Sequence, residues 1–135
     1  MKTRYFMRSS TGVITETDDV YEWRMWSVDA DRSIAQDAIR AQHPITKKMT
    51  TFEVSTVFIG FSFVYDQKYD LDGNPLLFET MIFNKLDGEV DWSGEFEYRY
   101  ATEEQAREGH RLALTLIRDG TMIKQLNPRV RLLTS

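Results

Sequence analysis

The stretch PLLFETMIF, residues 75–83, decides the expected fold because seven of its nine residues are apolar. In an extended chain these side chains fall on both faces: Leu76, Phe78 and Ile82 on one, and Leu77, Met81 and Phe83 on the other. A strand with two apolar faces needs cover on both sides. The stretch therefore predicts a buried β-strand.

Glu79 and Thr80 interrupt this apolar run at its centre. An ionised carboxylate without a partner is costly in a low-dielectric interior. One interpretation is that Glu79 pairs with an arginine or with backbone N–H groups and holds the strand in register. The other is that Glu79 contacts a ligand. We expect the polar pair to be a local anchor near a pocket formed between subunits.

Two further segments have the composition of strands. Residues 51–66, TFEVSTVFIGFSFVYD, are rich in β-branched and aromatic residues and also place apolar side chains on both faces. The turn-rich residues 67–75 connect this segment to the central stretch, so an antiparallel hairpin is expected. Residues 84–94 are predicted to form a polar loop. Residues 95–100, EFEYRY, are predicted to form a third strand that alternates charged with aromatic side chains.

The clearest predicted element is a long helix over residues 103–119. Thr102 and Gln105 form a capping box at its start, and Gly120 follows its last turn. Its apolar stripe consists of Ala106, Gly109, Ala113, Leu116 and Ile117.

A shorter helix is predicted over residues 31–42. Asp29 or Asp31 would be its N-cap, and Pro44 would stop it. The apolar residues at helical spacing are Ile34, Ala35, Ala38 and Ile39.

Together these elements predict an α+β fold. We expect an antiparallel sheet of three to five strands, packed with one long C-terminal helix and one shorter N-terminal helix. Residues 3–15 are predicted to form a hairpin. The chain, residues 1–135, is expected to be a single domain. Its tail is expected to contain strand-like pieces at 122–126 and 130–133 and to be flexible over 127–135.

The predicted strands have more apolar surface than the predicted helices can bury. If both helices pack on one face of the sheet, the other face stays open, and a large apolar patch is unusual on a monomer. We therefore expect a homo-oligomer that is joined through the open sheet face or its edge.

Composition limits the classes of partner. The formal net charge of -4 disfavours binding to duplex nucleic acid. The absence of cysteine excludes disulfides, thiolate metal sites and thiol nucleophiles, and it fits a reducing compartment. No apolar run approaches the length of a membrane span. We expect a cytoplasmic protein without membrane contact.

Motifs for catalysis or metal binding have little support. Residues 68–79 match the EF-hand calcium loop at four positions: Asp70, Asp72, Gly73 and Glu79. However, Lys68 occupies the first ligand position, where the loop needs an oxygen. His43 and His110 have no ligand-spaced partner nearby, and no nucleophile elbow or phosphate-binding glycine loop is present. We predict no catalytic residue, no metal and no cofactor.

Arginines on the final helix suggest anion binding. Arg107, Arg111 and Arg118 lie at spacings of four and seven, along one side of the helix. An ordinary exposed ion pair between Glu103 and Arg107 is the competing interpretation. Other residues are also suited to binding a nucleotide. Arg99, Arg129 and Arg131 could bind its phosphates, and Phe96, Tyr98 and Tyr100 could stack with its base.

Three blocks of the chain resemble a known family. VSTVFIGF (54–61), PLLFETMIF (75–83) and YRYATEEQAREGH (98–110) are similar to successive blocks of the bacteriophage Thoeris anti-defence sponge proteins. Those proteins bind cyclic ADP-ribose-type signals made by TIR-domain enzymes and keep them from their effector. The blocks cover less than half of the chain, and residues 1–50 look like an addition to the family pattern.

The resemblance implies assembly into dimers or higher oligomers, up to a hexamer, with ligand pockets at the protomer boundaries. It also implies that arginines on the final helix recognise phosphate. Carried onto this chain, it nominates Arg107 and Arg111, with Phe78, Phe83 and Asn84 on the base side. Glu79 completes the set of candidate ligand contacts. The acidic insertion at residues 84–97 departs from the family pattern and leaves the identity of the ligand open.

The leading hypothesis is therefore a non-catalytic protein that sequesters a small cyclic nucleotide signal in the cytoplasm of a phage-infected host. Two alternatives remain. One is a small enzyme acting on a nucleotide, with Glu79 or His110 as the acid or base. The other is a structural module that uses its aromatic surfaces to bind a protein.

Overall fold

The computed structural model describes residues 3–44, 46–62, 72–86 and 89–120, without the side chains of residues 85, 86 and 89–96. The described elements are β1 (Arg4–Arg8), β2 (Ile14–Thr17), α1 (Val20–Asp29), β3 (Ser33–Gln42), β4 (Met49–Phe58), β5 (Phe61–Ser62), β6 (Phe78–Leu86), β7 (Glu89–Tyr100) and α2 (Glu103–Arg118). Several predictions lie outside the described residues: the tail strands at 122–126 and 130–133, the flexible segment 127–135, Arg129 and Arg131.

The described strands form two antiparallel sheets, and the α+β prediction is confirmed. The smaller sheet has the order β2-β1-β5, and the larger has the order β3-β4-β6-β7. The predicted N-terminal hairpin is also confirmed, since β1 pairs with β2 and Arg8 lies opposite Ile14. Residues 3–50 supply strands to both sheets.

The central stretch becomes a buried strand, as predicted. β6 pairs with β4, with Thr80 opposite Thr56. Over residues 50–58 and 78–84 the even-numbered side chains are buried on the face that packs against α2, whereas the odd-numbered ones are half-buried on the opposite face. The largest buried side chains here are Phe52, Val54, Phe58, Phe78 and Ile82.

Residues 51–66 are not one strand, because the chain leaves the larger sheet at Gly60. Its φ of 83° lies in the left-handed region, and a Cβ there would lie 3.0 Å from the carbonyl oxygen of Phe6, so glycine is the residue that fits. The following β5 belongs to the smaller sheet. The second face of β4 carries Thr51, Glu53, Ser55 and Val57. The prediction of two apolar faces for this strand is therefore wrong, which removes part of the argument for an oligomer.

The predicted helix over residues 31–42 is also wrong. Residues 33–42 of this segment form β3, an edge strand of the larger sheet, which pairs with β4 from Ser33 to Gln42. Short apolar runs do not distinguish a helix from a strand, and here non-local pairing with β4 decided the outcome. The shorter helix is α1, which is capped instead by Asp19, whose carboxylate accepts from two backbone N–H groups.

The predicted polar loop over residues 84–94 is mostly strand. β6 continues to Leu86, and β7 begins at Glu89, so the two form one long hairpin. An irregularity in the pairing lies between Ile82 and Asn84. The backbone ladder tolerates polar side chains on an edge strand, and this explains the error.

The prediction for the final helix is confirmed. Thr102 and Gln105 form the expected capping box. α2 lies across the larger sheet and buries Ala106, Gly109, His110, Ala113 and Ile117. Gly109 is required by packing, since a Cβ there would lie 2.1 Å from the Tyr100 hydroxyl. Burial against this helix raises the pKa of Tyr100 to about 12.

Candidate functional site

The six predicted ligand contacts do not converge within one chain. Phe78 and Asn84 point toward α2 and are buried, whereas Glu79 and Phe83 lie on the opposite face of the same strand. Phe78 has no exposed surface, and its ring packs against Phe58 with centroids 5.2 Å apart. A ligand therefore reaches Phe78 only if the core opens.

Glu79 pairs with an arginine, as one of its two interpretations expected. Arg99 Nε donates to its carboxylate at 3.1 Å, from the neighbouring strand position. Burial raises the pKa of Glu79, while the charge of Arg99 opposes this shift and Glu97 adds to it. On the other face, the Thr80 hydroxyl lies 2.6 Å from that of Thr56. The polar pair thus anchors β6 on both sides.

The two nominated helix arginines are in ion pairs with glutamates of the same helix. Arg107 binds Glu103 one turn earlier, which is the competing interpretation from the sequence, and its Nη1 also donates to the carbonyl of Ile34 at 3.3 Å. Arg111 pairs with Glu108, and both side chains are largely exposed. An exposed pair of this kind contributes little to stability or to ligand orientation.

Arg8 joins the Glu103–Arg107 pair from a distant part of the chain. Its Nε and Nη2 donate to Glu103 Oε1 at 3.0 and 2.7 Å, while Arg107 donates to Oε2. Burial alone would raise the pKa of Glu103, but hydrogen bonds and charges from both arginines outweigh it and lower that pKa. Two guanidinium groups share one carboxylate, so this cluster carries one net positive charge.

A cavity of about 450 Å³ lies beside this cluster, between the end of β1, the end of α1 and the start of β3. We call it the Arg8 cavity; it is lined by Arg8, Ser9, Ser10, Trp26, Ala30, Asp31 and Ser33. Its size is typical of sites for small ligands. Trp26 Nε1 donates to the Arg8 carbonyl at 3.2 Å, and Asp31 accepts from the backbone N–H of Ser33 at 3.0 Å. These bonds fix two walls of the cavity.

The Arg8 cavity combines side chains that suit a nucleotide. Arg8 offers its guanidinium Nη1 for phosphate, Trp26 offers an aromatic plane, and Asp31 offers a carboxylate that accepts from hydroxyls. Arg107 stands next to it, because it binds both Glu103 and the residue that follows Ser33. Of the predicted contacts, Arg107 is the one that the fold brings next to this cavity.

A second cavity, of about 660 Å³, lies along the other side of α2. Its described lining consists of Tyr100, Thr102, Glu104, Gln105, Glu108, Gly109 and Leu112. It contains two carboxylates and no arginine or lysine among those residues. It is therefore unsuited to a phosphate group.

His110 belongs to a buried chain of hydrogen bonds. Its Nε2 lies 2.7 Å from Asp37 Oδ2, and its Nδ1 lies 2.7 Å from the Thr56 hydroxyl. With a neutral ring, Nε2–H donates to Asp37 and Nδ1 accepts from Thr56. A carboxylate, an imidazole and a hydroxyl in sequence resemble an activated nucleophile. However, the Thr56 side chain has no exposed surface, and neither cavity described above is lined by it.

Metal and membrane sites find no support in the described residues. No group of three or more histidine, aspartate or glutamate side chains among residues 3–44, 46–62, 72–86 and 89–120 is arranged to hold a metal ion. The EF-hand match loses its last ligand, because Glu79 pairs with Arg99. Neither helix in this part of the chain is long and apolar enough to cross a membrane.

Sequence reasoning missed Arg8, Trp26 and Asp31 as a group. The sequence pattern places Asp31 at the start of a helix, and it predicts no helix over the residues of α1, which carries Trp26. Arg8 and Glu103 are separated by 95 positions, and no local pattern joins them. The residues of this site come together only in the folded chain, where the two sheets pack against each other.

Comparison with known proteins adds no assignment: no family model, no curated protein and no solved structure matches this chain.

Proposed function

We propose that this protein binds a small, phosphate-bearing nucleotide of the cyclic ADP-ribose type and holds it without chemical change. The observation that carries the proposal is the Arg8 cavity, in which a guanidinium, an indole and a carboxylate surround a space of about 450 Å³. The resemblance of three sequence blocks to the Thoeris sponge proteins supports the class of ligand. The protein would then act by lowering the free concentration of a signal.

Phosphate recognition would come from Arg8, with Arg107 behind it. Arg8 uses Nε and Nη2 for Glu103, and within the described chain its Nη1 makes no hydrogen bond. A phosphate oxygen at Nη1 would gain a charge-assisted bond while Glu103 holds the guanidinium in position. Since Arg107 shares Glu103, the cluster carries one positive charge and favours an anion at the Arg8 wall, whereas the Asp31 carboxylate lines another wall of the cavity.

The rest of the nucleotide would use the other walls. The Trp26 ring is held by its hydrogen bond to β1 and by an edge contact with Phe58, with ring centroids 5.9 Å apart. A rigid aromatic plane of this kind suits stacking with a base. Asp31 keeps one carboxylate oxygen for ribose hydroxyls, because only Oδ1 accepts from Ser33. Ordered walls reduce the entropy cost of binding.

The absence of turnover is part of the proposal. The one acid–base chain described above runs through His110 and Thr56, which are both buried and do not line the Arg8 cavity. We also propose that the protein works as a homo-oligomer in the cytoplasm of a phage-infected host, as the resemblance implies. The lack of cysteine supports a reducing compartment.

A depletion assay tests the function. The protein is incubated with cyclic ADP-ribose, free ligand is measured after ultrafiltration, and the retained fraction is heated and analysed by chromatography. We expect depletion followed by recovery of intact ligand. Recovery of altered ligand would support the enzyme alternative, and no depletion would support the protein-interaction alternative.

Variants on one strand locate the site. Arg8→Gln removes the positive charge that lines the cavity, and we expect binding to weaken by roughly ten- to a hundred-fold, the usual range for a charged hydrogen bond. Arg4→Gln is the matched control, because Arg4 lies on the same strand and forms a similar two-bond pair with Glu16 outside this cavity. Equal binding by both variants would exclude the Arg8 cavity.

The helix arginines separate this site from the one implied by the resemblance. Arg107→Ala should weaken binding and Arg111→Ala should not, because only Arg107 stands next to the cavity. Isothermal calorimetry on each variant measures the difference. If Arg111→Ala abolishes binding while Arg8→Gln has no effect, the ligand lies on the exposed side of α2.

A further inference from the structure

α1 presents an apolar row to solvent. Tyr21, Met25 and Val28 are 75%, 73% and 77% exposed, and no residue of this helix is buried. Their spacing of four and then three places them on one side of the helix. Large apolar side chains grouped in this way mark an interaction surface more often than a solvated one.

The row faces away from the rest of the fold. The opposite side of α1 is fixed to the smaller sheet, because Trp23 Nε1 donates to the Phe6 carbonyl at 2.8 Å and Trp26 Nε1 to that of Arg8. Trp26 also reaches the core at Phe58. The two tryptophans thus set the orientation of the helix. The side of α1 that packs on its own sheet is the tryptophan side, and the apolar row lies on the opposite side.

Two opposite charges flank the row. Arg24 lies on one side of it and Asp29 on the other, and both are exposed. Neither forms an ion pair with any residue in the described part of the chain. If Tyr21, Met25 and Val28 form the apolar seam of a coiled coil, Arg24 lies at a g position and Asp29 at the e position five residues later. In a parallel pair of helices, a g residue of one helix meets this e residue of the other.

We propose that α1 pairs in parallel with α1 of a second copy of this chain. Tyr21, Met25 and Val28 of one copy pack on the same residues of the other. Arg24 of each copy binds Asp29 of its partner, which gives two symmetric ion pairs. An antiparallel pair would place Arg24 near Arg24, so the charges select the parallel arrangement.

The contact is modest in size. Three side chains on a ten-residue helix cover less than the roughly 800 Å² per partner of a standard stable interface. The dimer should therefore depend on protein concentration, and salt should weaken it by screening the ion pairs. It does not depend on nucleotide binding, because the row points away from the Trp26 wall of the Arg8 cavity.

Sedimentation equilibrium over a concentration series tests the pairing. The full-length chain should shift from monomer to dimer, and Met25→Asp should remain monomeric. Met49→Asp is the matched control, since Met49 is 56% exposed on β4 and should leave the dimer intact. A wild-type chain that stays monomeric throughout, or equal dimerisation of both variants, overturns the proposal.

Charge exchange tests the orientation. Arg24→Asp and Asp29→Arg should each weaken the dimer, whereas the double variant, or a mixture of the two single variants, should restore it. If the single variants dimerise as well as wild type, the ion pairs do not form and the parallel arrangement is wrong.

Cysteine cross-linking gives a second measure of orientation, and the natural chain has no cysteine to interfere. Under mild oxidation, Tyr21→Cys should form a covalent dimer far faster than Arg118→Cys, an exposed control on α2. Equal rates would overturn the proposal. If the full-length chain stays monomeric and dimerises only when residues 121–135 are removed, the proposal is also overturned. The C-terminal segment would then be what covers the apolar row of α1.

Discussion

The two helices in the described part of the chain, α1 and α2, are attached to their sheets in opposite ways. α2 buries five residues against the larger sheet, whereas α1 buries none and is attached to the smaller sheet through two indole N–H groups. α2 also has a complete capping box, whereas α1 has one aspartate cap. The difference shows that one helix belongs to the core and the other to the surface.

This contrast also divides the functional proposals. The face of α2 that packs on the larger sheet is filled by core side chains and by the His110 chain, and the cavity along the helix is lined by two glutamates. α1 leaves space at its C-terminal end, where Trp26 lines the Arg8 cavity, and it leaves apolar surface on its outer side. The less deeply packed half of the molecule therefore carries both proposed contacts.

The largest expected effect comes from filling the contact between α2 and β7. Gly109→Ala places a Cβ 2.1 Å from the Tyr100 hydroxyl, so the helix or the ring must move. We expect a loss of about 3 kcal/mol, near the upper end for overpacking, although alanine favours a helix. Urea unfolding measures it. Thr115→Ala, at an exposed position of α2, is the control, and equal stability of the two variants would contradict this packing.

Breaking the buried chain of hydrogen bonds should cost somewhat less. His110→Leu keeps the approximate volume but removes one of the two hydrogen-bond partners of the Thr56 hydroxyl and leaves Thr80 as the other, at a cost of about 1–3 kcal/mol. Thr56→Val should reduce that cost in the double variant, because the hydroxyl that bonds to His110 is then absent. The free energies of unfolding of the two single variants and the double variant give the coupling. Strict additivity would mean that the hydrogen bond does not form.

Weakening the attachment of α1 should have a smaller and more local effect. Trp23→Phe removes the donor to Phe6 while keeping an aromatic ring, and we expect a loss of about 1 kcal/mol. Hydrogen exchange should show faster opening of α1 with little change in α2. If both helices lose protection equally, the two sheets unfold as one unit and the contrast between the helices disappears.

The smallest expected effects are changes in pH dependence, and they have opposite signs at two glutamates. The pKa of Glu103 is lowered from 4.5 in the folded state. The stabilisation of the folded state by the ionised carboxylate is therefore present above that pH and is lost as pH falls through the folded-state pKa. The pKa of Glu79 is raised from 4.5 in the folded state. Its contribution to the free energy of unfolding is therefore greatest at acid pH, where the carboxyl is protonated, and declines as pH rises through the folded-state pKa.

Two glutamine variants measure these signs. Glu103→Gln should be destabilised relative to wild type at neutral pH, with the difference shrinking in acid. Glu79→Gln should gain stability relative to wild type as pH rises above 4.5. Thermal unfolding at several pH values follows both. Parallel curves for the two variants would mean that Arg8 and Arg107 do not hold Glu103 as described.

The sequence predicted those parts of the fold that local chemistry controls. The capping box at Thr102 and the apolar stripe of α2 are contained in a single segment, and both predictions are confirmed. The pairing of β4 with β6 follows from two adjacent apolar runs. By contrast, β3 has helical spacing in sequence and becomes a strand, because its partner is β4. The Arg8 cavity was not predicted because its walls come from three separate elements.

By itself, the sequence determined the α+β class, the long final helix, the buried central strand and the pairing of Glu79 with an arginine as one of two interpretations. Each of these follows from residues that lie close together in the chain or from the cost of burying a charge. The tertiary structure alone decided that Gly60 sends the chain into a second sheet, that residues 33–42 are extended, and that Arg8 meets Glu103. The physical reason is that contacts between distant residues are set by packing the whole chain, which local propensity does not encode.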